Sequence, residues 1–281
     1  MLWVSCWMGL LLVSAIGLVA CANRVRFARR VASEVRDLLA GSSEPMPVDR
    51  ARLAAIPLPV RRYLERALGS RARAVRTVRL RHGGRSERAS KGAGSPSEAS
   101  SIAADPPGFV WHGRITMMPG LWVEARDRST GGEGQMLVRA ESTFTLADSR
   151  GPELDQGALL RLLGEMVWFP TAFSRRTLRH WEALTIGGPR PSCASAGARS
   201  AASSSFGEDG MPAPFQADRY RDVGGGQSVL TPFRGECANF RDETGLLVPH
   251  HMTAWWHVDG KAVPYARFIV DTLDYDETEP F

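Results

Sequence analysis

The chain has 281 residues, of which 43% are hydrophobic and 23% charged, so a fully disordered protein, a collagen-like fibre and a multi-span membrane protein are excluded. Its four cysteines are too few for a scaffold built on disulfides. The net charge is +5, but the arginines that carry it are scattered and no nucleic-acid-binding motif accompanies them. We therefore expect no nucleic-acid partner.

The amino-terminal segment predicts a membrane anchor. Residues 1–23 carry no charged side chain, and a helix over the 22-residue run that ends at Ala22 spans about 33 Å, enough for the core of a bilayer. The first charged residues follow this run: Arg24, Arg26, Arg29 and Arg30. A secretory signal peptide has its positive charges before the apolar run, so a retained single-pass helix in the bacterial cytoplasmic membrane is favoured.

The side of the membrane and two alternative anchors stay open. Positive charges after the helix favour a cytoplasmic body. Leu18-Val19-Ala20-Cys21 is similar to a bacterial lipobox with Cys21 as the lipidated residue, and cleavage of a signal peptide is the third alternative. All three place the protein in the bacterial envelope.

Three helices are predicted after the anchor. A juxtamembrane helical segment at 24–55 has apolar residues at 3–4 spacing and a stop at Gly41. A second helix covers 58–68 and ends at Gly69, and a third covers 154–168 with Asp155 as its N-cap. The apolar stripe of the third helix consists of Leu159, Leu162, Leu163 and Met166.

The remaining periodicity is that of β-strands. Residues 109–117 and 121–129 alternate around a Pro119-Gly120 turn, which predicts a hairpin. The same alternation continues at 135–146, 213–223, 229–240, 246–258 and 262–275. Alternation of polar and apolar residues indicates one wet face and one packed face, as in an antiparallel sheet. The fold class is therefore α+β: a transmembrane helix, then a mostly antiparallel curved sheet, half-barrel-like, with a packed helix.

Several motifs carry a resemblance to a known family. DPPGFVWHGRITMMPGLWVEARD, GPELDQGALLRLLGEMVWFPTA, FQADRYRDVGGG and VPYARF, with IPLPVRRYLERAL at the start, resemble an uncharacterised bacterial membrane-anchored domain family of unknown function. The resemblance covers most of residues 56–275 and implies a single α+β domain at 56–281. In outline the curved sheet is also similar to the half-barrel of lipoprotein carriers, a likeness of fold alone.

Two segments depart from the pattern of that family. Residues 82–104 and 187–206 are rich in Ser, Ala, Gly, Pro and Arg, where the family has strands. We expect both to be irregular and to lie outside the core, because they offer little apolar surface to offset the cost of ordering the backbone. They are either true insertions or stretches read in a displaced frame, since GC-rich codons out of frame yield these residues.

The strongest candidate site combines an acidic, an aromatic and a basic group. Glu165 lies on the third helix, and Trp168 follows it. Arg219, Tyr220 and Arg221 lie in one strand, where the two arginines share a face. This set predicts either a pocket for a lipid-like or amphipathic ligand, with Glu165 paired to one of those arginines, or an ion pair that docks the helix on the sheet.

The function expected from these features is non-catalytic binding by a membrane-anchored protein. The alternatives are a structural or assembly partner in the envelope and a hydrolase that uses Glu165. No metal is expected, because His250, His251 and His257 lack the spacing and the carboxylates of a metal motif. No cofactor is expected either, because the Gly224-Gly225-Gly226 run lacks the pattern of a phosphate loop.

Overall fold

A computed structural model describes residues 2–54, 56, 58–86, 97–118, 120–174, 193–195, 198–200, 202–206 and 210–281. The helices are α1 (Leu2–Ala40), α2 (Arg50–Leu53), α3 (Leu58–Ala67) and α4 (Pro152–Glu165), and two short 3₁₀ helices, Met166–Trp168 and Pro170–Ser174, follow α4. The first strands are β1 (Thr77–Ser86), β2 (Ser97–Ala104), β3 (Pro107–Met118), β4 (Leu121–Thr130), β5 (Glu133–Ala140) and β6 (Phe144–Ser149). The later strands are β7 (Cys193–Ser195), β8 (Ala198–Ser200), β9 (Ala202–Phe206), β10 (Pro212–Gly224), β11 (Gln227–Glu243), β12 (Leu246–Val258) and β13 (Lys261–Tyr275).

Eleven of these strands form one open antiparallel sheet, as the α+β prediction requires. The order is β6-β5-β4-β3-β2-β1-β13-β12-β11-β10-β9, and β7 pairs with β8 separately. In the middle of the sheet β1, the first strand in the chain, pairs with β13, the last. The predicted hairpin between β3 and β4 is confirmed, and Gly120 at its turn has a φ of 81°, which favours glycine.

The sheet bends around α4. Helix α4 reaches β5 through Asp155, whose Oδ1 accepts a hydrogen bond of 2.6 Å from the Gly134 N–H. It reaches β10 through Gln156, whose Nε2 donates to the Asp218 carbonyl at 3.1 Å. Strands β5 and β10 are eight places apart in the sheet. In a flat sheet that separation is about 38 Å, several times the width of a helix, so one helix touches both only because the sheet is strongly curved.

The main core fills the concave face of the sheet. Helix α3, α4 and the 3₁₀ turns pack there against β1, β2, β3, β12 and β13. The largest fully buried side chains in this core are Trp168, Tyr63, Phe109 and Phe169. Tyr63 belongs to α3, whose predicted range of 58–68 agrees with the structure to within one residue. Gly69 follows α3 with a φ of 47°, as its predicted role at the helix end requires.

Helix α1 covers the convex face, which the alternation of β3 and β4 had indicated to be wet. That expectation is wrong here. Phe27, Val31, Val35, Leu38 and Leu39 of α1 are buried against strands β2, β3 and β5. Glu124 and Arg126 of β4 point to this face and are buried, because α1 supplies a carboxylate beside Arg126. The helix ends at Ala40, directly before Gly41, as predicted.

The predicted anchor is continuous with this docked helix. Leu2–Ala40 form one helix without a break at residue 23. Across the part of the chain that the structure describes, we found no helix both long and apolar enough to cross a membrane. The side chains of residues 2–6, 9–13 and 16 lie outside the described set. The anchor at 1–23 therefore stays a prediction.

The expectation that residues 82–104 are irregular is wrong where the structure describes them. Residues 82–86 continue β1, and β2 covers 97–104 at the centre of the sheet. Ile102, Ala103 and Ala104 are buried, because small side chains suffice on a strand that is covered by helices on both faces. In the second segment, 193–195, 198–200 and 202–206 are strands, which again contradicts the expectation. Residues 87–96 and the remainder of 187–206 lie outside the described residues.

Candidate functional site

The site begins with the two arginines of β10. Arg219 and Arg221 face the concave side of the sheet, because their strand neighbour Ala217 on the same face packs against Leu160 of α4. The Arg219 guanidinium lies against Gly157 of α4, where a Cβ would stand 3.4 Å from its Nε. Gly157 thus leaves room for this guanidinium between strand and helix.

Aromatic rings form the floor beneath Arg219. Its guanidinium carbon is 5.2 Å from the ring centroid of Phe233 and 5.9 Å from that of Trp256. Phe233 and Trp256 face each other across β11 and β12, with ring centroids 5.0 Å apart. Tyr265 of β13 completes the cluster at 5.5 Å from Trp256. A cation held over aromatic faces is stabilised without neutralisation of its charge, so the guanidinium keeps its capacity to bind an anion.

Neither arginine has a carboxylate partner in the described part of the chain. No Asp or Glu oxygen described there lies within ion-pair distance of Arg219 or Arg221, and the buried Nε of Arg221 has no hydrogen-bond partner among those residues. Buried polar groups are nearly always hydrogen-bonded, so an unsatisfied guanidinium on a concave face is a candidate for binding an external acceptor.

A third arginine on the concave face differs from these two because it is bound by carboxylates. Arg161 of α4 donates to Glu165 at 2.7 Å and to Asp127 of β4 at 2.9 Å, and it lies over the rings of Phe109 and Trp111. Burial by itself lowers the pKa of Arg161, but the carboxylates of Glu165 and Asp127 outweigh it and raise the pKa above its ordinary value. This cluster of one guanidinium and two carboxylates docks α4 on β4 and leaves Arg161 without capacity for a further anion.

The structure separates the residues that the sequence had grouped. Glu165 is buried and pairs with Arg161, so the pairing with Arg219 or Arg221 that the pocket alternative required is not formed. Trp168 is buried in the core, where its Nε1 donates to the Pro249 carbonyl at 3.0 Å. Tyr220 lies on the opposite face of β10 and is exposed, because successive residues of a strand alternate. Arg219 and Arg221 do share a face, as predicted.

One polar cluster was missed because it lies in a segment expected to be irregular. The Nδ1 atom of His82 is 2.9 Å from Oε2 of Glu98, and both side chains are buried on the concave face. The ring of His82 packs edge-on against Phe268 at 4.9 Å. Ser100, two residues beyond Glu98, has a buried hydroxyl without a hydrogen-bond partner among the described residues. The Ser-rich composition of this stretch concealed a buried pair at the centre of the sheet.

Metal ligands and cysteines contribute nothing to the site as described. Within the described residues, no three side chains of His, Cys, Asp or Glu come together as a metal site requires. Cys21 and Cys237 are free thiols. Burial raises the pKa of the Cys237 thiol to about 12, and the neighbouring Glu236 adds to this shift. A thiol of this kind is not a nucleophile near neutral pH.

The fold and the site define a class of protein: an α+β domain whose large open antiparallel sheet curves around one helix and presents two arginines on its concave face. A family model described as a family of unknown function, DUF6544, matches residues 46–268, and the chain belongs to this family. The family resemblance expected from the sequence is therefore confirmed. Neither the curated proteins nor the solved structures gave a match, so the likeness to lipoprotein carriers has no support.

Proposed function

We propose that this protein is a non-catalytic binding domain for an anionic amphipathic ligand, held at the membrane by its amino-terminal helix. The observation that carries the proposal is the state of Arg219 and Arg221. Both lie on the concave face, neither has a carboxylate partner among the described residues, and Arg219 stacks over Phe233 and Trp256. Guanidinium groups bind carboxylates and phosphates in a bidentate manner, and the rings beside them offer apolar surface to a chain.

The geometry does not favour a hydrolase that uses Glu165. The two carboxylates that could act as acid and base, those of Glu165 and Asp127, are both bound to Arg161. An acid–base pair needs one carboxyl group that exchanges its proton easily, and a neighbouring guanidinium opposes protonation. The structural interpretation of Glu165 as part of an ion pair between helix and sheet accounts for its position.

The test is mass spectrometry of lipids retained by the full chain after purification in a non-ionic detergent. We expect the unmodified chain to retain an anionic lipid in near-equimolar amount. The Arg219→Gln, Arg221→Gln double variant should lose it. A control for the loss of positive charge is Arg241→Gln, which removes one charge from an exposed position on β11.

Two outcomes contradict the proposal. Equal retention by the double variant and by the unmodified chain shows that the two arginines do not bind the ligand. Retention of uncharged lipids alone shows that anion recognition is absent. Circular dichroism of each variant separates loss of ligand from loss of fold.

A further inference from the structure

Helix α1 extends beyond one end of the sheet, where it leaves the part of the fold formed by residues 24–281, which we name the body. The Asn23 side-chain amide donates to the Thr143 hydroxyl at 3.2 Å, in the turn between β5 and β6. The Arg24 guanidinium lies 5.7 Å from the ring centroid of Trp122, just after the turn between β3 and β4. At its other end α1 lies with Leu38 against Gly108, at the start of β3. Residues before Asn23 therefore extend beyond the end of the sheet that carries these two turns, which we name the exit end.

The exit end concentrates exposed apolar side chains. Around the two turns beside α1, the exposed residues are Met118, Leu121, Phe144 and Leu146. Because the strands are antiparallel, the turns after β10 and β12 lie at the same end. The exposed apolar side chains near those turns are Val223, Val229, Leu230 and Val263. The turns at the opposite end, after β4 and β11, carry Gly131, Gly132, Thr244 and Gly245 instead.

Positive charge lies beside this apolar end. Arg24, Arg26 and Arg29 are exposed on the first turns of α1 within the body, and Lys261 is exposed in the turn between β12 and β13. Basic residues close to an anionic membrane are attracted to its negative surface. Apolar side chains at hairpin turns can enter the boundary between acyl chains and headgroups while the neighbouring basic residues bind the headgroups.

We infer that the exit end rests on the surface of an anionic lipid bilayer, with Phe144 and Met118 inserted at the headgroup boundary. The inference rests on the proposed membrane anchoring by α1 and adds a contact made by the body itself. Continuity of α1 supports it: the helix has no break between the apolar run and the docked part, so no flexible linker separates the sheet from the bilayer. The contact of Asn23 with Thr143 places the end of the apolar run directly beside these turns.

The test compares two labelled positions in the full chain. The four native cysteines are replaced by alanine, and one cysteine is introduced by Phe144→Cys or by Met46→Cys. These two side chains are exposed to nearly the same extent, 66% and 68%, but Met46 lies beside Ala74, three residues before β1, at the opposite end of the sheet. Each variant carries an environment-sensitive dye and is reconstituted into vesicles of phosphatidylcholine and phosphatidylglycerol, with brominated phosphatidylcholine as quencher.

We expect the dye at position 144 to be quenched several-fold more strongly than the dye at position 46. The difference should shrink when phosphatidylglycerol is omitted, because the basic residues then lose their partners. Equal, weak quenching at both positions in chains that float with the vesicles overturns the contact but leaves the anchor intact. Chains that do not float overturn the anchor and the contact together. Cross-linking between two copies through position 144 assigns the exit end to self-association and also overturns the inference.

Discussion

Truncation of Leu160 tests whether the sheet truly wraps around α4. Leu160 is 1% exposed and packs against Ala217 and Phe215 of β10, on the side of α4 that faces away from β4. Leu160→Ala removes three carbons, worth about 2.4 kcal/mol of transfer free energy. Measured costs of such truncations in cores run from about 2 to 5 kcal/mol, depending on how far the site collapses. Phe215 is only partly buried and is free to shift, so we expect a loss of about 2–3 kcal/mol in the free energy of unfolding.

The assay is urea unfolding followed by tryptophan fluorescence, with the full chain in one fixed detergent. Leu162→Ala probes the opposite side of α4, where Leu162 belongs to the main core, and should cost about 2–5 kcal/mol. Leu146→Ala is the control for truncation of a leucine outside the core. Because Leu146 is exposed, this variant should change the free energy of unfolding by less than about 0.5 kcal/mol. If Leu160→Ala behaves like the control while Leu162→Ala is costly, β10 does not cover α4, and the placement of Arg219 fails with it.

Three further results are expected from the same preparation. Glu34→Gln should cost about 3 kcal/mol in urea unfolding, because the fully buried Arg126 loses its carboxylate; a loss below about 0.5 kcal/mol contradicts this docking contact. Cys237, with a pKa of about 12, should resist iodoacetamide in the folded chain and react after unfolding, and rapid native labelling contradicts its burial. Burial lowers the pKa of His112, which packs on Phe27 of α1. Below about pH 6.5 the unfolded state therefore binds a proton that the folded state does not, and the free energy of unfolding decreases as the pH is lowered. His112→Gln should reduce that fall between about pH 7.5 and about pH 5, and identical pH profiles contradict it.

The sequence predicted the elements better than their surroundings. Helix α3, the hairpin of β3 and β4, and the strands from β10 to β13 agree with the expected ranges closely, because turn residues and periodicity are local signals. Asp155 illustrates the limit. It was expected to cap α4, but Gly151 precedes the helix and Asp155 instead accepts a hydrogen bond from β5. A carboxylate near a helix start serves either purpose, and only the position of the neighbouring strand decides.

The apolar stripe of α4 was incomplete for a related reason. Leu162 and Met166 are buried as expected, and Leu163 packs at the edge of the core. Leu159 is only partly buried, whereas Leu160, outside the expected stripe, is one of the most buried residues. A single apolar stripe is expected for a helix that packs against one surface only. Here the sheet contacts α4 from two sides, and the curvature that causes this is a property of eleven strands together.

The candidate site shows the same division between local and long-range information. That Arg219 and Arg221 share a face follows from the period of a strand. That Glu165 binds Arg161 follows from their i,i+4 spacing on α4, a signal present in the sequence but passed over in favour of the more distant arginines. That Phe233 and Trp256 lie under Arg219 depends on the register of β10, β11 and β12, which no short pattern in the chain specifies.

Strand β4 explains how the body holds its two helices at once. Arg126 and Asp127 are neighbours, so their side chains point to opposite faces of the sheet. Arg126 binds Glu34 of α1 on the convex face, and Asp127 binds Arg161 of α4 on the concave face. A helix displaced from its ion pair would leave a buried charge without a partner, so each ion pair fixes the position of its helix on the sheet.

This arrangement relates the exit end to the candidate site around Arg219 and Arg221. Because α1 is fixed on β4 from one face and α4 from the other, the direction in which the apolar run leaves the body is set relative to the concave face. Arg221 is three residues from the turn that begins at Gly224, or about 10 Å along the strand. If the exit end rests on a bilayer as inferred, Arg221 lies about 10 Å and Arg219 about 17 Å from its surface along the strand. Val229 is the strand partner of Arg221, so exposed apolar surface continues from the exit end to the candidate site.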